Sequence, residues 1–215
     1  MSVVDQSVLP TPLATRLKVE TTAAHEAMHA LMGELSPFAD RDRYARFVTA
    51  QYVFQCRVDA LCANEWIGAR VPDLDRRGRA GAARADLIDL GADVPTCDDV
   101  VTPGSSEPRA LGWLYVSEGS TLGAAFLFKQ AQTDLDLSAD FGARNLAGAP
   151  EGRAQSWRAF VAAINAAGLS EPEQQDVIGG AQEAFAYFAA TLTGAFEGAA
   201  ALNTQTYELG RAHAP

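Results

Sequence analysis

Apolar residues that recur every three or four positions, segment after segment, constrain this chain more than any other feature. From Pro12 to about Leu35 the apolar or small positions Ala14, Leu17, Thr21, Ala24, Met28, Leu31 and Leu35 keep that rhythm, the stripe of an amphipathic helix. Pro37 closes it. Asp40 or Asp42 can cap the next helix, where Tyr44, Phe47, Val48, Gln51, Tyr52, Gln55 and Val58 continue the period. Residues 79–90 read as helix ending at Gly91, and 92–108 as a loop rich in proline, glycine and aspartate. A long helix is expected from about Arg109 to Thr133, irregular chain over 136–152, and helix over 153–167. Ser170-Glu171-Pro172-Glu173 opens a last helix in the capping-box manner, running to about residue 200. No segment alternates with a period of two, and no internal repeat is visible. The expectation is an all-α, single-domain packing of seven or eight helices over residues 10–200, between a flexible segment 1–9 and a tail 201–215.

Composition narrows the function classes. At 215 residues, 48% hydrophobic and 20% charged, the chain can bury a sizeable core. No run approaches the roughly 18 apolar residues that span a bilayer. The opening MSVVDQSVLP has neither a basic stretch nor an apolar one, so no secretory signal is legible. A net charge of −10 argues against nucleic acid or an anionic membrane as partner. Cys56, Cys62 and Cys97 follow no metal or redox spacing and read as free thiols in a reducing cytosol, so a cytoplasmic location is expected. Of 17 basic residues only Lys18 and Lys129 are lysine, which makes those two worth following.

Within the long helix lies Ser117-Glu118-Gly119-Ser120-Thr121-Leu122-Gly123-Ala124-Ala125-Phe126, a run of weak helix formers where a buried helix is wanted. Gly119 and Gly123 stack on one face, at a cost of about 2 kcal/mol of helix propensity relative to alanine. Two readings compete. Either small residues let another helix pack closely, or missing side chains let something flat lie against the backbone, with the Ser117 and Ser120 hydroxyls beside it. Spacing alone does not decide.

On the first helix, His25 sits on the apolar face between Thr21 and Met28. A lone histidine there is commonly a satisfied core residue. Lys18, however, lies seven positions earlier, about 10.5 Å along the axis and on nearly the same face. A cation two turns from a buried imidazole suits an anionic planar ligand.

Thr21-Thr22-Ala23-Ala24-His25-Glu26, followed by Trp113-Leu114-Tyr115-Val116-Ser117 through Phe126-Leu127-Phe128-Lys129, resembles a haem oxygenase, most closely the small soluble bacterial branch. Phe38-Ala39-Asp40-Arg41-Asp42, Arg46-Phe47-Val48, Gln51 through Gln55, Phe141-Gly142-Ala143-Arg144 and Gly152 through Trp157 extend the similarity to about residues 10–200. The resemblance implies haem b as both cofactor and substrate. It is oxidised by O₂ with electrons from an external reductase or ferredoxin, yielding biliverdin, CO and iron. His25 would be the iron ligand. Gly119 and Gly123 would be the distal glycines that steer dioxygen toward a meso edge, with Ser117, Ser120, waters and either Gln51 or Gln55 in the proton relay. Lys18, Tyr115 and Lys129 match groups at the propionates and the haem edge. Lys18 favours the IXα isomer of biliverdin, whereas Lys129 pulls the other way.

This chain departs from the family pattern at two places. Ser120 stands where the eukaryotic members have aspartate, and His29 stands where glutamate is frequent. The first departure keeps open a non-catalytic haem-binding or storage protein. Thiamin-salvage hydrolases share the helical architecture, but they need a cysteine nucleophile among carboxylates, and the sequence displays none around Cys56, Cys62 or Cys97. The expected state is a monomer with an electron-donor protein as partner.

Overall fold

The computed structural model describes residues 11–97, 106–148 and 152–198. Both expected terminal segments, 1–9 and 201–215, lie outside these residues, as does 98–105 of the expected loop. Among the described residues the chain forms α1 (Leu13–Glu20), α2 (Thr22–Leu35), α3 (Arg41–Asp59), α4 (Glu65–Gly68), α5 (Ala80–Asp89), α6 (Glu107–Leu135), α7 (Arg153–Asn165) and α8 (Glu171–Glu197), with three short 3₁₀ turns. Only isolated bridges at Ser138 with Phe141 and Gly142 have β character. The fold is all-α, as the periodicity requires.

Helix starts follow side-chain chemistry. The Asp40 carboxylate accepts the Arg43 N–H at 2.7 Å, and Ser106 caps α6 ahead of Pro108. Ser170 and Glu173 form the reciprocal capping box that opens α8.

One expected helix is two. The stretch from Pro12 to Leu35 bends at Thr21, whose φ and ψ are −105° and 2°. The Thr21 hydroxyl donates to the Leu17 carbonyl at 2.7 Å while the Thr21 N–H donates to the same oxygen at 3.0 Å. Thr22 likewise donates to Lys18 O at 2.8 Å. Two adjacent threonines bonding back one turn engage the carbonyls of Leu17 and Lys18 at the joint where the chain bends and α1 gives way to α2. Lys18 and His25 therefore belong to different helices, and the single-axis spacing expected between them does not hold.

The core is centred on α6 and α8. A Cβ on Gly112 would meet Val177 O at 2.1 Å, and one on Gly180 would meet Arg109 O at 1.9 Å, so the two backbones touch there. Around that contact Trp113, fully buried, stacks on Phe54 at 5.7 Å and leans on Tyr187 at 5.3 Å. α3 packs on α8 and α5, and α7 on α6 and α1.

The cysteines correct the sequence reading. Cys56 on α3 and Cys97, beyond α5, form a disulfide with Cα atoms 6.3 Å apart, and Cys62 alone is a free thiol. Sequence could not pair residues 41 apart. The compartment argument built on free thiols loses its premise. In the chain-entropy picture, closing a loop of that length contributes about 4 kcal/mol. Reduction by dithiothreitol, or Cys56→Ser, should therefore lower unfolding stability by up to about 4 kcal/mol. Urea titration with and without reductant measures it, and a midpoint indifferent to reductant would show that the bond does not form in solution.

Candidate functional site

The site is built between α2 and the second half of α6. α2 is apolar yet buries none of its residues, whereas each other helix of eight residues or more buries at least two. Its Met28, Leu31, Met32 and Leu35 are only half-buried. On the opposite wall α6 is buried continuously from Ala110 to Glu118 and then opens. Leu122 is 38% exposed and Phe126 80%, in a protein that hides most of its large apolar side chains. The two helices converge on a cavity of about 470 Å³ lined by Met32, Gly33, Phe38, Leu127, Gln130 and Asp134. Seven residues back from Met32 on the same face of α2 is His25, and four back from Leu127 on α6 is Gly123. The partly open cavity lies between two helix faces that carry His25 and Gly123 further along their lengths.

His25 is exposed, with Phe185 of α8 edge-on at 6.3 Å and the His29 ring at 4.6 Å. The two imidazoles, one turn apart on α2, are in contact. Lys18 and Lys129 are exposed. The Tyr115 ring is buried against Trp157 at 5.6 Å, and burial raises the pKa of its phenol, which stays a proton donor through neutral pH.

The glycines separate the two readings left open by spacing. A Cβ on Gly123 would meet nothing within 4 Å, and one on Gly119 would make an ordinary 3.6 Å contact with the Trp157 ring. Neither is spent on helix packing. The packing glycine of this helix is Gly112, two turns earlier.

Beneath the distal stretch lies a polar network that the sequence reading largely missed. The Arg79 Nη2 donates to Ser117 O at 2.8 Å, Ser117 Oγ at 3.1 Å and Ser120 Oγ at 2.9 Å. Ser120 in turn donates to Ser117 O at 2.6 Å. Ser117, wholly buried, also pairs with Gln55 at 3.3 Å, whereas Gln51 accepts from Asn145 at 3.0 Å. Of the two glutamines weighed for the relay, Gln55 is the one that touches it. Arg77 forms a shielded ion pair with Glu118, both side chains being under 10% exposed. Burial pushes the Arg79 guanidinium below its ordinary range, with Glu118 and Asp59 opposing. Arg79 is fixed because Asp59, at the end of α3, accepts the Arg79 and Ala80 N–H groups at 3.0 Å each, capping α5. The available signal was Arg76-Arg77-Gly78-Arg79, a dense arginine run in an acidic chain.

Among the described residues no three potential ligands cluster to hold a bare metal ion. Exposed imidazoles at His25 and His29 on α2, and open space at Gly123 on the other helix that lines the cavity, fit a metal that arrives in its own flat macrocycle. Cys62 is near Asp59, Asp75 and Glu118, carboxylates the sequence did not reveal. Burial first, then their charges, raise its pKa, the opposite of an activated nucleophile.

Residues 11–193 match the Heme oxygenase family, and the chain belongs to that family. It is 48% identical over 174 residues to heme oxygenase PigA of Pseudomonas aeruginosa, covering 80% of this chain and 87% of that protein. The solved haem oxygenase of Neisseria meningitidis, bound to NO and CO, superposes with a TM-score of 0.81 at 38% identity, over 87% of this chain and 94% of its own. The haem oxygenase of Leptospira interrogans shares the fold at 18% identity, with a TM-score of 0.71 over 85% and 99% of the two chains. The protein is therefore an enzyme of the haem oxygenase family. Among the described residues no helix is long and apolar enough to cross a membrane.

The glycine geometry has a measurable consequence. Gly123→Ala should stabilise the ligand-free protein by about 1 kcal/mol, because the methyl group enters open space and helix propensity rises. The same variant should bind hemin more weakly. Gly112→Ala should destabilise the fold, its Cβ meeting backbone at 2.1 Å. Thermal melts and hemin titrations of both variants check this, and a destabilised Gly123→Ala would restore the packing reading.

Proposed function

We propose that the protein cleaves haem oxidatively to biliverdin, CO and iron, using O₂ and electrons from an external reductase or ferredoxin. Residues 10–200 act as one catalytic domain. The observation that carries the reading is the open space beside the Gly123 backbone, on one of the two helices that line the cavity, with His25 exposed on the other. When bound, haem supplies the iron that activates dioxygen and the ring that is oxidised.

His25 is the iron ligand, presented by α2 in an exposed position and flanked by His29 and Phe185. Gly119 and Gly123 would let the α6 backbone come close to a bound haem, so that the reacting atoms meet by placement. Ser120 differs from a carboxylic acid in what it can do. Its hydroxyl proton is committed to Ser117 O and its oxygen accepts from Arg79. It orders the network and does not deliver a strong acid to the distal side. Arg79 places a positive charge behind the same turn, where it favours developing negative charge. Protons then reach the site through the Ser117, Ser120 and Arg79 network with water.

Lys18, Tyr115 and Lys129 anchor the propionates and ring edge. A lysine–carboxylate bond of this kind is worth about 1.5–3 kcal/mol when partly shielded. Lys18 directs cleavage to the α position, giving biliverdin IXα.

Purified protein given hemin should show a Soret band that shifts on binding. Reductant under air should then replace it with biliverdin absorption. His25→Ala should lose the liganded spectrum. Hemin uptake with an unaltered spectrum in His25→Ala would remove His25 from its role, and a Soret band that survives reductant and air would return the protein to haem binding alone. Separately, Lys18→Ala should shift the biliverdin isomer ratio on chromatography, and an unchanged ratio would refute the part given to Lys18.

A further inference from the structure

Trp157 enters the site from α7 at the point where α6 changes from buried to open. Its Cζ3 and Cη2 atoms lie 3.6 Å from where a Cβ of Gly119 would be. One turn earlier on the same face, the Tyr115 ring meets the indole at 5.6 Å and 52°. Behind it, fully buried Phe160 stacks on the indole at 5.9 Å and 29°. The indole is thus fixed from the core and wedged against two consecutive turns of the distal helix. The Tyr115 hydroxyl makes no hydrogen bond to any described residue, so packing against Trp157 is what sets the direction of its phenol oxygen.

We propose that Trp157 is a positioning residue which, through Tyr115, fixes the in-plane orientation of the porphyrin and hence the meso carbon that is cut. This rests on the haem reading above and deepens it, adding a specificity determinant from α7. A phenol free to swing cannot hold one edge of a nearly symmetric disc. The indole removes that freedom without touching the iron side. The indole edge sits at ordinary van der Waals distance from the Gly119 position, so it borders the stretch of α6 that opens toward Gly123.

The test compares Trp157→Ala, Trp157→Phe, Tyr115→Phe and the double variant Trp157→Ala/Tyr115→Phe, each loaded with hemin. Two readouts are taken: the biliverdin isomer ratio by chromatography, and the haem-methyl proton shifts of the non-turning-over ferric cyanide complex by NMR. Trp157→Ala should raise the minor-isomer fraction about fivefold and add a second set of methyl signals. Trp157→Phe, which keeps a ring in place, should stay close to the parent. The double variant should be no more mixed than either single one, because both act through the same contact. An unaltered ratio and methyl pattern in Trp157→Ala, or additive mixing in the double variant, overturns the proposal. If Trp157→Ala does not fold, Tyr115→Phe decides: an unchanged isomer ratio overturns the proposal, and a mixed one supports it. Failure of the parent protein to bind or turn over hemin would overturn the haem reading itself, and is seen before any variant is made.

Discussion

The arrangement depends on one contact between backbones. Where α6 crosses α8 at Gly112 and Gly180, the chains are close enough that a methyl group on either would overlap main-chain atoms. That contact, with Trp113 held between Phe54 and Tyr187, anchors the first half of α6 in the core. An anchored first half lets the second half leave the core and still be held in position. From Gly119 onward the helix no longer needs to pack against protein on its cleft side, and its composition changes to match. A glycine near one end of this helix serves adhesion, and a glycine near the other serves access. Their identical chemistry is given different meaning by what stands opposite.

The charge distribution follows the same division. The protein is acidic overall, yet Arg77 and Arg79 are brought beneath the turn that carries Ser117 and Ser120. Bringing two guanidinium groups out of water is costly unless their donors are used. Glu118 accepts from the Arg77 guanidinium, and the Ser117 and Ser120 oxygens accept from the Arg79 Nη2. The network both stiffens a glycine-weakened helix and orients its polar atoms. A hydroxyl backed by an arginine is chemically different from a carboxylic acid, since it carries an electrostatic pull without a strong acid.

Much of this was legible in the chain. The helices follow from apolar spacing, the capping box at Ser170 from four consecutive residues, and the family from motif resemblance. The rest depended on geometry that sequence does not carry. The bend at Thr21 arises because two hydroxyls compete for carbonyls one turn back, a preference shared by many threonines that leave helices straight. Cys56 and Cys97 meet only after α3 and α5 have packed. Arg79 stands at the start of the expected helix 79–90, where nothing in the spacing singles it out, and its place is set by the Asp59 cap at the end of another helix. The glycine stretch was noticed at once, but its meaning waited on a neighbour's absence at Gly123 and a neighbour's presence at Gly112.

The Thr21 bend has a mechanical corollary. α2 joins α1 through a joint whose hydrogen bonds can be shared between hydroxyl and amide, and it buries no side chain of its own. Tilting it away from α6 would disrupt no interlocked core, only half-covered methionines and leucines leaning on their neighbours. The wall that carries the histidine is therefore the compliant one, and the wall that carries the glycines is the rigid one, as in a vice with a single moving jaw.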